Sequence, residues 1–259
     1  MLTIRKPFAL TLLASLLLSG AVSAQQNAPT APQGFLYGVG VGINQEIYQG
    51  YKRRVIPLPL IGYRGEKLSV YGPFVTYELA KWTDTELGDI RINAKLAPRF
   101  AGFDDSDSDV FAGMAKRKNS LDAGVGIQFQ RDQWTLEAET LADALNNSNG
   151  QESKLKLSYT LRSGPLQITP EAGISYATSK LVDYYYGVRQ NEATANRAFY
   201  EAGSAFNYHL GLAFSTPIFF GGMTRLGVEH HWYDKSISDS PLTDRDTGVT
   251  VFLAWSRFF

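Results

Sequence analysis

The chain has 259 residues, with 25 basic and 25 acidic side chains, 44% hydrophobic residues and no cysteine. Zero net charge gives no electrostatic ground for a nucleic-acid partner. The missing cysteine excludes disulfides, thiolate metal sites, cysteine nucleophiles and an acylated lipoprotein terminus, and 13% aromatic against 19% charged residues is not the composition of a disordered chain.

Arg5 and Lys6 precede an apolar run from Phe8 to Leu18, and Val22-Ser23-Ala24 offers a small-residue cleavage site before Gln25. That order reads as a secretory signal over 1–24, cleaved near Ala24. A buried first helix or a membrane anchor would need a longer run. Cleavage leaves 235 residues with 23 basic and 25 acidic side chains. Residues 25–34, with Pro29, Pro32 and Gly34, read as a flexible lead-in. No later stretch approaches the roughly 18 apolar residues of a helical span.

From residue 35 onward the period is two. Phe35, Tyr37, Val39, Val41 and Ile43 face one way, and Gly38, Gly40 and Gly42 the other. Leu121 to Phe129 alternate with Asp122, Gly124, Gly126 and Gln128, and Leu155, Leu157 and Leu161 alternate with Lys154, Lys156 and Arg162. A soluble sandwich or lipocalin-like barrel would alternate too. However, several segments exceed the usual strand of about 5–6 residues and match the roughly 9–11 of a tilted membrane strand. Their polar faces carry Gly, Ser, Thr, Asn and Gln with spaced charges, which suits a hydrated barrel interior. The fold class is therefore all-β: a closed antiparallel transmembrane β-barrel over 35–259.

The strands expected are 35–43, 55–62, 67–71, 74–81, 90–98, 120–130, 133–143, 152–162, 165–177, 200–215, 223–233 and 248–259. Splitting 67–81 at Gly72-Pro73, where proline removes a ladder donor, makes twelve, an even number as closure requires; ten is the alternative. Counting back from the last strand puts the long segments 99–119, 178–199 and 234–247 outside the cell. The tight turns Arg131-Asp132, Ser163-Gly164 and Gly221-Gly222 then lie at the periplasmic rim. Val249, Val251, Leu253, Trp255 and terminal Phe259 share a phase, and a last strand with Trp255 and Phe259 is similar to the assembly signal of outer-membrane proteins. Arg257 in that phase departs from the usual aromatic.

Several motifs resemble the MltA-interacting protein (MipA/OmpV) family. They are Pro57-Leu58-Pro59 with Tyr63-Arg64, Phe111-Ala112-Gly113-Met114 with Arg117, and Ser120-Leu121-Asp122-Ala123-Gly124. Further on come Tyr185-Tyr186-Gly187-Val188 with Ala193 and Arg197, and Asp239-Ser240-Pro241. The resemblance implies a monomeric barrel of Gram-negative outer membranes, in contact with outer-membrane lipid, lipopolysaccharide and the barrel-assembly machinery. It also implies a scaffold joining a lytic transglycosylase to a murein synthase, and it carries no established catalytic residues.

The inner phase collects Arg91, Lys95, Lys154, Lys156, Arg162 and Arg225 against Glu78, Glu137, Glu139, Glu171 and Glu229. This set is nearly balanced, whereas an ion-selective pore would show an excess of one sign; ion pairing across a narrow lumen is the expectation. Asp105, Asp107 and Asp109 imitate a calcium loop, but its glycine and glutamate places hold Val110 and Lys116, so Asp104–Asp109 reads as a solvated acidic loop. His209 and His231 share the inner phase with Glu229, while His230 points away. Ser175 with His209 is a nominal nucleophile and base, but strands so separated in the chain give it no geometric warrant. No metal, cofactor or catalytic residue is assigned, and an enzyme is not expected. Tyr184, Tyr185 and Tyr186 fall in an external loop, either packing over the barrel mouth or forming a contact surface. The function expected is a structural or interaction scaffold; the alternatives are a passive channel for small solutes and a surface adhesin.

Overall fold

The computed structural model describes residues 32–51, 53–84 and 86–259. The signal, its cleavage site and residues 25–31 of the lead-in lie outside them. Among the described residues no helix is long and apolar enough to cross a membrane.

The first half of the wall is β1 (Gly34–Asn44), β2 (Arg54–Arg64), β3 (Leu68–Tyr71), β4 (Phe74–Asp84), β5 (Gly88–Arg99), β6 (Ser120–Arg131) and β7 (Trp134–Asp143). The second half is β8 (Gln151–Tyr159), β9 (Leu161–Ser163), β10 (Leu166–Ala177), β11 (Ala205–Phe219), β12 (Gly222–Trp232) and β13 (Thr247–Phe258). Every pairing is antiparallel, and β1 pairs with β13 from Leu36↔Phe258 to Asn44↔Thr250, which closes the sheet. Both β8 and β9 pair with β10, so they are two pieces of one wall strand broken at Thr160. The barrel thus has twelve strands.

Alternation assigns the faces as expected. Phe35, Val39, Ile61, Val125, Leu210 and Leu253 are exposed on the outer face, where an apolar band meets lipid. Inside, Leu36, Leu58, Leu60, Phe252 and Ala254 line an apolar sector along β13, β1 and β2. There Gly227 makes room for Phe252, since a Cβ at Gly227 would lie 1.9 Å from the ring. The remaining strands line the lumen with charge.

One rim gathers the tight turns at Asp132-Gln133, Gly164-Pro165 and Phe220-Gly221 with the chain end at Phe259; the other gathers the long loops. Two strand ends differ from expectation. The strand expected from 200 begins at Ala205, because Ala202 N donates to Asp183 Oδ1 and Tyr200 bridges to Val188, which draws 200–204 into the loops. It then runs on through Phe219, past an irregularity between Thr216 and Phe219.

The break at Gly72-Pro73 is present, with Gly72 at φ +56°. Because β3 has four residues, this hairpin pairs only with the lower end of β2, although β4 climbs to Leu96 of β5. Its last bond to β2 is Gly72 N to Ile61 O, at 3.0 Å. Residues 54–60 of β2 therefore have no strand beside them on that side. Ile61, Pro59 and Pro57 direct their backbone groups the same way, and the two prolines bring no N–H there. Above the gap, Arg54 reaches across to Phe100 O and Gly102 O, the latter at 2.9 Å, and is held by Glu46 at 2.8 Å.

Candidate functional site

The long loops fold together over one barrel mouth as a plug. Helix α1 (Ser179–Tyr186) lies in the longest loop, and the single turn α2 (Lys235–Ser238) in the last one. Leu181, Val182 and Tyr185 of α1 pack with Ile47, Ala202, Ala205 and Ile237 in one apolar cluster. A second cluster joins Tyr48, Phe103, Phe111, Met114, Val188 and Leu242, with the Phe103 and Phe111 rings stacked at 3.9 Å. These side chains come from loops up to about two hundred residues apart in the chain, and burying them out of water drives the loops together.

Two arginines fix the arrangement. Arg117, 1% exposed, meets both Glu192 oxygens at 2.9 and 2.7 Å and donates to Tyr184 O at 2.6 Å. Arg197 donates to Val110 O, to Ala112 O at 3.1 Å and to Glu192 O. Burial would raise the Glu192 carboxyl, but hydrogen bonds from Arg117, Arg189 N and Ala115 N outweigh it and hold it at about 2. Ser240 donates to Tyr186 O at 2.6 Å. The motif residues Phe111, Met114, Arg117, Tyr185, Tyr186, Val188, Arg197 and Ser240 thus meet in this plug, whereas those at 57–64 and 120–124 lie in the wall.

The three tyrosines are part of it. Tyr185 is 2% exposed and donates to Lys118 O, Tyr184 OH accepts from Lys118 N, and Tyr186 stacks on Tyr48 at 5.4 Å. Asp104–Asp109 lies on the outer surface, where Asp104 pairs with Lys116 at 2.6 Å. That hydrogen bond first, then those with Asp105, hold the Asp104 carboxyl below its ordinary value.

Below the plug the lumen charges pair within and across strands. Lys95 meets Glu139 at 2.6 Å, Lys154 meets Glu152 at 3.4 Å and Glu139 at 3.9 Å, and Lys156 meets Glu137 at 2.9 Å and Glu171 at 3.6 Å. Arg91 lies 3.7 Å from Asp89 and 4.0 Å from Glu78. Arg162 is exposed at the short-turn rim, and the Arg225 guanidinium lies 5.7 Å from the Phe252 ring; neither joins an ion pair among the described residues. The sequence reading missed Arg99, which binds Asp122 and, at 2.9 Å, Glu152. The inner charge set also lacked Asp122, which alternation had placed on the polar face, and Glu152; Arg99 sat at the edge of an expected loop. A cavity of about 80 Å³ remains between plug and lumen, lined by Ala97, Phe100, Leu141, Val182 and Tyr185 among others.

On β10–β12, Glu171 and Glu229 come together with His209, a grouping that the sequence reading of His209, His231 and Glu229 did not contain. Contrary to the separation expected, β10 and β11 pair directly, with Gly173 opposite His209 and Ser175 opposite Asn207. At the short-turn rim Trp255 Nε1 donates to Phe219 O at 3.0 Å, and Phe259 N donates to Phe35 O.

The family profile described as MltA-interacting protein MipA matches residues 37–259. YiaT of Escherichia coli K12 is 29% identical over 217 residues, covering 82% of this chain and 86% of that protein. The MltA-interacting protein of the same strain is 26% identical over 249 residues, covering 93% and 99%. Among solved structures, an outer membrane channel from Pseudomonas putida F1 aligns at 11% identity with a TM-score of 0.42, covering 90% of this chain and 100% of that one. That likeness is too loose to carry an argument. A closed barrel with an apolar outer band, matched along nearly its whole length by this profile, belongs to the MltA-interacting protein (MipA) family of outer-membrane proteins.

Proposed function

We propose that the protein is a closed, non-conducting barrel with a structural or interaction role, serving as a scaffold for murein-remodelling enzymes. The observation that carries this reading is the plug over the outer mouth, above a lumen wall whose lysines are paired. The plug covers the outer mouth with two apolar clusters, and beneath it Lys95, Lys154 and Lys156 pair with carboxylates on the same or nearby strands of the inner wall. A passive pore would need open water along that path. The partner class, a lytic transglycosylase and with it a murein synthase, comes from the relative named for interacting with MltA.

Such enzymes would meet the short-turn rim. Its tight turns offer little against the roughly 800 Å² per partner of a standard interface. One tip does protrude, with Phe220 85% exposed and at φ +52°, and Trp82 and Leu87 are exposed at the β4–β5 turn on the opposite side of the same rim. Export by the signal and assembly through the strand bearing Trp255 and Phe259 belong to the same reading, as does a monomeric state.

The test has two arms. In planar bilayers the purified barrel should show no steady conductance. A photo-crosslinker placed at Phe220 should capture a murein hydrolase or synthase, while one at Asp107 on the opposite rim should not. A steady open pore whose ion preference reverses when Lys154 and Lys156 become glutamate would replace the scaffold with a channel.

A further inference from the structure

Beyond the scaffold reading, and independently of it, the geometry points to a binding site for a single divalent transition-metal ion of the zinc type in the lumen, held by Glu171, His209 and Glu229, with His231 beside it.

The site follows from register. Glu171 on β10, Gly211 on β11 and Glu229 on β12 form one row across three adjacent strands; Gly173, His209 and His231 form the next inward-facing row. Two carboxylates and two imidazoles thus alternate with two glycines on one patch of inner wall. The glycines leave the room that the donors use. A Cβ at Gly211 would stand 2.8 Å from Glu171 Cγ and 3.0 Å from Glu229 Cγ, and one at Gly173 would stand 2.3 Å from His209 Cε1. With the middle position bare, the carboxyls lean towards each other over Gly211 and the His209 ring lies over Gly173.

One donor atom from each of Glu171, His209 and Glu229 falls within 4.8 Å of the others. A four-coordinate ion with bonds of about 2.0–2.2 Å holds its donors roughly 3.5 Å apart. Small rotations of long side chains close that difference. His231 Nε2 is 3.2 Å from Glu229 Oε2, near enough to become a fourth ligand or to orient the carboxylate that binds.

A second observation is independent of the clustering. Glu171 Oε1, Glu229 Oε1 and His209 Nε2 are all buried without a hydrogen-bond partner. The Glu171 and Glu229 side chains are each 2% exposed. Leaving such atoms unpaired is expensive, and three in one place have a common remedy in a cation that accepts all three lone pairs. The nearest ammonium does not fill that role. Lys156 Nζ sits 2.9 Å from Glu137 and only 3.6 Å from Glu171, touching the far oxygen, Oε2. The donor set selects the metal class: imidazole with carboxylate suits zinc and its neighbours, whereas calcium and magnesium prefer oxygen alone.

The experiment uses the full barrel, folded in detergent, stripped with chelator and carrying no polyhistidine tag. Zinc binding is followed by calorimetry and cobalt binding by visible absorption. One equivalent should bind, and cobalt should give the spectrum of mixed nitrogen and oxygen ligands. Glu229→Gln and His209→Ala should each weaken binding at least tenfold, checked for folding by heat-dependent gel mobility. Gly211→Ala removes no ligand but pushes the carboxyls apart, and should also weaken binding. Asp104→Asn with Asp107→Asn, in the outer loop, should leave it unchanged. The proposal is overturned if the wild-type barrel takes up no zinc, as it would if the two carboxyls simply share a proton. It is equally overturned if binding survives in the Glu229→Gln, His209→Ala double variant or disappears with the outer-loop pair.

Discussion

In the plug, Phe103 and Phe111 stack face to face and Tyr48 packs edge-on against both, so closure there is the burial of apolar rings away from water. In the lumen Lys95, Lys154 and Lys156 instead reach carboxylates on the same or nearby strands of the inner wall. The difference follows from what each region has for solvent. The plug stands in water and can fold as a small soluble core does. The wall has committed most of its apolar side chains to lipid, and outside the apolar inner sector of β13, β1 and β2 its inner positions are polar or charged and pair. Apolar burial is tolerant of small rearrangements, whereas a buried ion pair fails when one member is lost.

Lys156→Ala should be the most disruptive single change. It leaves Glu137 and Glu171 without their ammonium and costs about 3–5 kcal/mol. The loss should be global, seen as a lower urea midpoint for the whole barrel, because the wall is one continuous sheet. Phe111→Ala removes a fully buried ring at a cost of up to about 3–5 kcal/mol, but the loss should stay local. Proteolytic nicking of 100–119 and 178–204 should rise while the heat-dependent mobility of the barrel is kept. If Phe111→Ala lowers the global urea midpoint as much as Lys156→Ala does, plug and wall form one cooperative unit and the contrast drawn here is wrong.

A smaller effect comes from acid. The Glu192 carboxyl is held at about 2, below its ordinary 4.5, so its contribution is full above about pH 4.5 and disappears as pH falls towards 2. Pepsin should therefore begin to cut within 178–204 in that window. Glu192→Gln, lacking the titrating group, should be open at every pH. Cleavage of the wild-type loop with no pH dependence would remove Glu192 as the latch.

Most of the wall was legible. Period two gives the faces, proline in Gly72-Pro73 gives the extra turn, and antiparallel order gives the rims. The start of β11 was not, because what removes 200–204 from the strand is Asp183 capturing Ala202 N, a contact made only once the loops have packed. Arg117 was noted as a motif residue, but Glu192 lies 75 positions away in another loop, and no local pattern connects them. Glu171, His209 and Glu229 each sat in the correct phase. Their meeting depends on the register between β10 and β11, which is set across a long folded loop instead of a tight turn.

The short β3 has a consequence for the barrel's neighbours in a crowded membrane. An unpaired edge is normally a template on which another chain can add a strand, and the gap above the β3–β4 hairpin leaves such edges at 54–60 of β2 and 97–99 of β5. A strand docking there would need donors and acceptors in alternation. At Pro57 and Pro59 it would find carbonyls and no N–H, so only half of its ladder could form. The two prolines therefore make the β2 edge a poor template for a strand from a second copy.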